Sequence, residues 1–134
     1  MDLSQELYLF LAGCILIGGI WNVYRNKKAA QTVDQDLFFK SVIANPNGVL
    51  IDVRTPAEYQ SGFILNAVNI DFLDSGFIDE ISALDREKTY YIYCQSGKRS
   101  SGAIRQMNQL GFKHLIELSG GVSQWKKPLE TPRV

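Results

Sequence analysis

Cys94 stands in the run Cys94-Gln95-Ser96-Gly97-Lys98-Arg99-Ser100, and it is the only cysteine of the 134-residue chain outside an apolar N-terminal stretch. A thiol does chemistry as its thiolate, which is favoured by nearby cations, by a helix N-terminus and by inward-pointing backbone N–H groups. This run offers all three. Lys98 and Arg99 bring positive charge, and Gly97 lets the backbone turn so that successive amides face one centre. Beyond them Ala103, Ile104, Met107 and Leu110 recur at helical spacing, and Gly111 is a natural stop. Such a cradle suits a thiolate, a persulfide or an oxyanion. A lone cysteine is more often an inert buried thiol, but the glycine and two cations that follow argue against that here.

The loop needs a rigid base. Residues 89–93, Thr-Tyr-Tyr-Ile-Tyr, are dense in β-branched and aromatic types and read as a buried strand. Cys94 then lies at the carboxyl end of a strand, the edge where open α/β sheets form their sites, and the helix start downstream adds partial positive charge. Tyr90, Tyr91 and Tyr93 alternate along that strand as core and lining. The other elements alternate as βα units do. Residues 34–44 form an amphipathic helix ending at Asn45-Pro46-Asn47-Gly48, and residues 49–53 form a nearly all-apolar strand suited to a parallel sheet. Thr55 caps a helix with Pro56 at its first position. Residues 67–70 and 114–118 are short strands, residues 77–84 an amphipathic helix, and Trp125 is core packing for the last helix. The fold class is α/β, one parallel sheet between helices.

Residues 7–24 are almost uninterruptedly apolar, just long enough at about 1.5 Å per residue to cross a hydrocarbon core of about 30 Å. Tyr8 at one end and Trp21 and Tyr24 at the other read as interfacial anchors, followed at once by Arg25, Lys27 and Lys28. The flank before the run carries Asp2 and Glu6 and no cation. The positive-inside rule therefore predicts a single-pass membrane protein with its catalytic domain in the cytoplasm, which agrees with a reduced thiol. The division that follows is an anchor at 1–25, a linker at 26–31 and a domain at 32–134. Leu11-Ala12-Gly13-Cys14 also fits a lipoprotein cleavage box, but the acidic flank and the apolar run continuing past Cys14 fit a signal peptide poorly. Cys14 reads as a small apolar residue on the membrane helix.

The formal net charge is +0, which argues against nucleic acid as a partner. Two distant cysteines make no disulfide framework. His114 is the only histidine, so no metal site is expected, and no cofactor is called for.

Asp52-Val53-Arg54, then Glu58-Tyr59, Gly62, Ile64, Ala67 and Ile70, the Cys94–Ser100 loop, and Gly120-Gly121-Val122-Ser123-Gln124-Trp125 come in an order that resembles the rhodanese family of sulfurtransferases. The resemblance covers nearly all of the chain after the apolar stretch. It implies a parallel sheet flanked by helices and a cysteine that accepts a sulfane sulfur, becomes a persulfide and passes the sulfur on, as in thiosulfate sulfurtransferase. It makes Cys94 the nucleophile and sulfur carrier. The amides of Gln95, Ser96, Gly97, Lys98 and Arg99 would cradle the outer sulfur, with Lys98 and Arg99 drawing in a small anionic donor such as thiosulfate. Asp52, Arg54 and Ser100 would be supports, Asp52 and Arg54 tying the neighbouring strand end to the loop. The acceptor would be a thiol, cyanide or a protein. Phe63 stands where the family commonly has His, and the tail after Trp125 lacks a glycine often found there.

Cysteine phosphatases and arsenate reductases use a related loop, but with one residue more between cysteine and arginine. Here Gln95, Ser96, Gly97 and Lys98 intervene, which makes a tighter cradle, suited to one terminal sulfur. No residue is aimed as the general acid that phosphate transfer requires. A membrane-tethered persulfide carrier or binding module with one protein partner is the other alternative.

Overall fold

The computed structural model describes residues 2–25 and 30–133, with side chains described up to Ile20 and again from Ala30. Residues 26–29 of the linker expected at 26–31, and the side chains of Trp21, Tyr24, Arg25, Lys27 and Lys28, lie outside the described set. Helix α1, Leu3–Arg25, carries the apolar stretch. Its segment Leu3–Ile20 is long and apolar enough to cross a membrane and buries none of its side chains against the domain. The helix starts earlier than the apolar run because its polar first turn still pairs its backbone, Gln5 N–H and Glu6 N–H donating to Asp2 O.

The domain is built on five strands, β1 (Ala30–Val33), β2 (Val49–Asp52), β3 (Val68–Asn69), β4 (Thr89–Tyr93) and β5 (His114–Leu118), all parallel in the order β1-β5-β4-β2-β3. Strand β1 begins at Ala30, inside the stretch read as linker, and pairs with β5 from Ala30↔Leu115 to Val33↔Leu118. Between the strands run α2 (Gln35–Ala44), α3 (Pro56–Gln60), α4 (Phe77–Ser82) and α5 (Lys98–Gln109), and a 3-10 turn follows at Val122–Gln124. Where the sequence suggested a last helix under Trp125 there is only this turn. Trp125 closes it, packing edge-on to Phe38 and Phe39 at 6.5 and 6.0 Å between centroids.

Strand alternation sorts the core into two layers. Ile51, Val53, Tyr90, Ile92 and Cys94 point toward α4 and α5, where they meet Phe77, Ile81, Ala103 and Met107. Leu50, Tyr91 and Tyr93 point the other way, against Phe38 of α2 and against Phe63, Ile64 and Ala67. The tyrosines carry the expected core role, and each hydroxyl is bonded. Tyr90 donates to Asp85 O (2.7 Å), Tyr91 donates to Ser41 O (2.9 Å), and Tyr93 accepts from Ile64 N–H (3.0 Å).

After β2 the chain moves outward to β3, and after β4 it crosses to β5 on the other side. The crevice between the carboxyl ends of β2 and β4 is thus the switch point at which α/β sheets bind ligands. Asp52 and Tyr93, the last residues of those two strands, face each other in the register.

Candidate active site

The loop leaves β4 at Tyr93 and enters α5 at Lys98. Gly97 takes φ 103°, a left-handed conformation that glycine adopts without strain. The turn aims its N–H at Cys94 Sγ, 3.1 Å away. Ser100 in the first turn of α5 places its hydroxyl 3.4 Å from the same sulfur. Cys94 has no exposed surface. Burial pushes its thiol pKa up, but the Ser100 hydroxyl and the N–H groups of Ser100, Gly97 and Ser96 more than offset this, leaving the pKa below its ordinary value. The geometry shows Gly97 N–H donating to the sulfur and the Ser100 hydroxyl accepting from it, rather than the whole run from Gln95 to Arg99. The side chains of Gln95, Ser96 and Lys98 are exposed.

Arg99 is engaged. Its guanidinium forms a two-pronged pair with Glu58 of α3, Nη1 to Oε2 at 2.7 Å and Nη2 to Oε1 at 2.8 Å. Thr55 N–H and Oγ donate to the same carboxylate at 3.0 and 2.9 Å and complete a capping box. The Arg99 contact, with help from Thr55, lowers the Glu58 pKa to about 2. Half of the positive charge expected beside the thiol is thus paired locally, and among the described residues Lys98 carries no ion pair.

Asp52 and Arg54 do something other than reach the loop. Arg54 Nε and Nη2 grip the Asp52 carboxylate at 3.0 and 2.7 Å, and Nη2 also donates to Gly62 O at 2.6 Å. The guanidinium lies 5.7 Å from the centre of the Tyr93 ring. The pair braces the end of β2 against the turn after α3 and against Tyr93. Phe63 follows that turn, stacked on Tyr59 with centroids 4.3 Å apart. Its backbone pairs with Glu130 in both directions (2.9 and 2.8 Å), so Phe63 is a packing residue that pins the tail.

The closing motif supports the loop from beneath. Val122 N–H donates to Cys94 O (2.8 Å) and Ser123 N–H to Gln95 O (3.0 Å). A Cβ on Gly121 would lie 2.5 Å from the Cys94 carbonyl oxygen, and its φ of 64° with ψ −165° is open to glycine alone.

Three groups near the loop were not singled out as site residues from the sequence: Glu58, Ser101 and Glu117. Glu117, in β5, is 7% exposed. It accepts from Ser100 Oγ (2.7 Å), Ser101 Oγ (2.9 Å) and Thr32 Oγ1 (3.2 Å). The signal available was a carboxylate inside an otherwise apolar strand. On the outer side of the loop a cleft of about 600 Å³ is lined by Thr32, Ser96, Lys98, Ser101, Arg105 and Glu117 among others; Cys94 does not line it. No cluster of metal-ligating side chains occurs among the described residues.

The rhodanese-like domain model matches residues 37–128, which takes in all of the geometry above except β1 and the tail. The chain belongs to the rhodanese-like family. A sulfurtransferase of Allochromatium vinosum is 27% identical over 95 residues, covering 71% of this chain and 87% of that protein. Thiosulfate sulfurtransferase 16 of Arabidopsis thaliana, a chloroplast protein, is 30% identical over 87 residues, 58% of this chain and 72% of its own. Some relatives are much longer, and the chain spans as little as 22% of one of them. Among solved structures, a rhodanese-related protein of Thermoplasma volcanium superposes with a TM-score of 0.66 at 26% identity, over 76% of this chain and 99% of that one. The fold is the rhodanese fold, and its sulfurtransferase relatives place the chain in the transferase class.

Proposed function

We propose that the protein is a sulfurtransferase of the thiosulfate type, working through a persulfide on Cys94. The Cys94 thiolate attacks the outer sulfur of the donor, the donor S–S bond breaks, and sulfite leaves with the electron pair. A thiol, cyanide or a protein nucleophile then attacks the outer sulfur, and the Cys94 thiolate departs with the electrons of the broken bond. No cofactor takes part. Lys98 draws the anionic donor to the mouth of the loop, Arg99 holds the loop to α3, and Asp52, Arg54 and Ser100 keep the strand end and the sulfur in place. The observation that carries the reading is the Gly97 N–H at 3.1 Å from a fully buried Sγ, in a loop with four residues between Cys94 and Arg99. An apolar helix that buries nothing against the domain supports a membrane anchor through residues 7–24, and the cations just after it favour a cytoplasmic domain.

The test is mass spectrometry of the protein after exposure to thiosulfate, with thiocyanate release measured on adding cyanide. Wild type should gain the mass of one sulfur on Cys94, and Cys94→Ala should lose both signals. Full turnover in Cys94→Ala would sink the proposal. Labelling of Cys94 in intact cells by an impermeant thiol reagent would overturn the cytoplasmic placement.

A further inference from the structure

The sulfur-transfer steps leave one buried charge unused. Glu117 collects three hydroxyl donors from α5 and β1, and one of them, Ser100, also contacts the reacting sulfur. The Ser100 hydroxyl has one proton and three acceptors in reach: Glu117 Oε1 at 2.7 Å, Gly97 O at 3.1 Å and Cys94 Sγ at 3.4 Å. While Glu117 is ionised, the short charge-assisted bond takes that proton. A lone pair of Ser100 Oγ then faces the sulfur and holds the thiol proton in place. Once the carboxyl is neutral, the hydroxyl is released to donate to the sulfur, and the thiolate gains a donor while losing a like charge two hydrogen bonds away.

We propose that the charge on Glu117 sets the direction of the Ser100 hydroxyl, and through it whether that hydroxyl accepts from or donates to the Cys94 sulfur. Only hydrogen bonds change, and nothing is oxidised or reduced. Glu117 acts only through Ser100 and is a positioning residue. The other charged groups near it are Lys98 and Arg105 of α5, which line the same cleft. From β1 it meets the uncharged Thr32, and its register partner on β4 is Ile92. Arg99 is held by Glu58, and His114 sits at the opposite end of β5. The inference rests on the proposed function only in taking Cys94 as the reacting thiol.

The test reads thiol acidity, which does not require sulfur transfer. The full chain in mild detergent is alkylated with iodoacetamide across a pH series, and the Cys94 peptide is quantified by mass spectrometry, separately from Cys14. Glu117→Gln keeps the side-chain shape and removes the charge. Its alkylation midpoint should fall by about one pH unit or more, roughly tenfold faster reaction on the acid limb. In a Ser100→Ala background the same replacement should move the midpoint by less than half as much. An unchanged midpoint, an upward shift, or an equal shift with and without Ser100 overturns the proposal. If Glu117→Gln fails to fold, Ser100→Ala alone serves, because a hydroxyl turned to Glu117 only accepts from the thiol, and its loss should favour the thiolate. Its midpoint should fall by a smaller amount, and no fall would equally overturn the proposal. A shifted midpoint in a protein whose wild type never loads sulfur would uphold the coupling through Ser100 and defeat the sulfurtransferase reading instead.

Discussion

Replacing Gly121 by alanine tests how the closing motif holds the reactive loop. The new Cβ would sit 2.5 Å from Cys94 O and 2.6 Å from the Gln95 carbonyl group. Non-bonded carbon contacts settle near 3.5 Å, so the loop must back away by about 1 Å. That movement stretches the bonds from Val122 N–H to Cys94 O and from Ser123 N–H to Gln95 O, now 2.8 and 3.0 Å. Losing both costs about 2 kcal/mol. The φ/ψ of residue 121, open to glycine alone, adds about 1–3 kcal/mol. The total is about 3–5 kcal/mol, and at roughly 4–8 °C per kcal/mol for a domain of this size the thermal midpoint should fall by about 12–40 °C. Displacing a reacting group by about 1 Å costs on the order of 100-fold in rate, so thiocyanate release should fall at least that far even at a temperature where the variant is folded. Circular dichroism melts and single-turnover alkylation of Cys94 read the two effects separately. A variant melting within about 3 °C of wild type, with an unchanged alkylation rate, would show that the loop does not rest on Gly121.

Two further perturbations follow from the ion pairs. Asp52→Ala strands the buried Arg54 guanidinium and should cost about 3–5 kcal/mol in urea unfolding; a loss below about 1 kcal/mol would mean that water reaches Arg54. Glu58→Gln should lower stability at neutral pH by about 1 kcal/mol, a figure kept small because both partners are part-exposed. The sign of its pH dependence is fixed by a folded pKa of about 2 against an ordinary 4.5. The contribution is fully present above the ordinary value and fades as pH falls toward the folded one. Wild type and variant should therefore converge in acid unfolding measured near the folded pKa; a gap that persisted there would assign the stability to packing rather than charge.

The parts of the molecule written in local periodicity were readable in advance. Helix α2, strands β2, β4 and β5, and the Thr55-Pro56 helix start all follow from spacing and capping chemistry within a few residues. What escaped depends on partners distant in sequence. Strand β1 is a short edge strand with exposed side chains, so its Ala-Gln-Thr-Val carries no apolar alternation and exists because β5 pairs with it. The Arg99–Glu58 pair joins residues 41 apart, and only the fold reveals that the loop cation is already spoken for. Asp52 and Arg54 were expected to tie the strand end to the loop; they grip each other, and Arg54 braces Gly62 and Tyr93. Glu117 lies within the strand read at 114–118, and its meaning comes from three hydroxyls on α5 and β1.

The complete burial of Cys94 bears on selectivity in time as well as in space. A thiol with no surface is a poor target for bulky disulfides and oxidants, so the unloaded protein stays out of the exchange reactions that consume exposed thiols. On the persulfide reading, loading moves the reactive atom outward by one S–S bond, about 2 Å. The protein then presents an electrophile to large partners only while it carries cargo, and an empty molecule has little to offer an acceptor. Access itself distinguishes the charged carrier from the spent one, with no separate conformational signal needed.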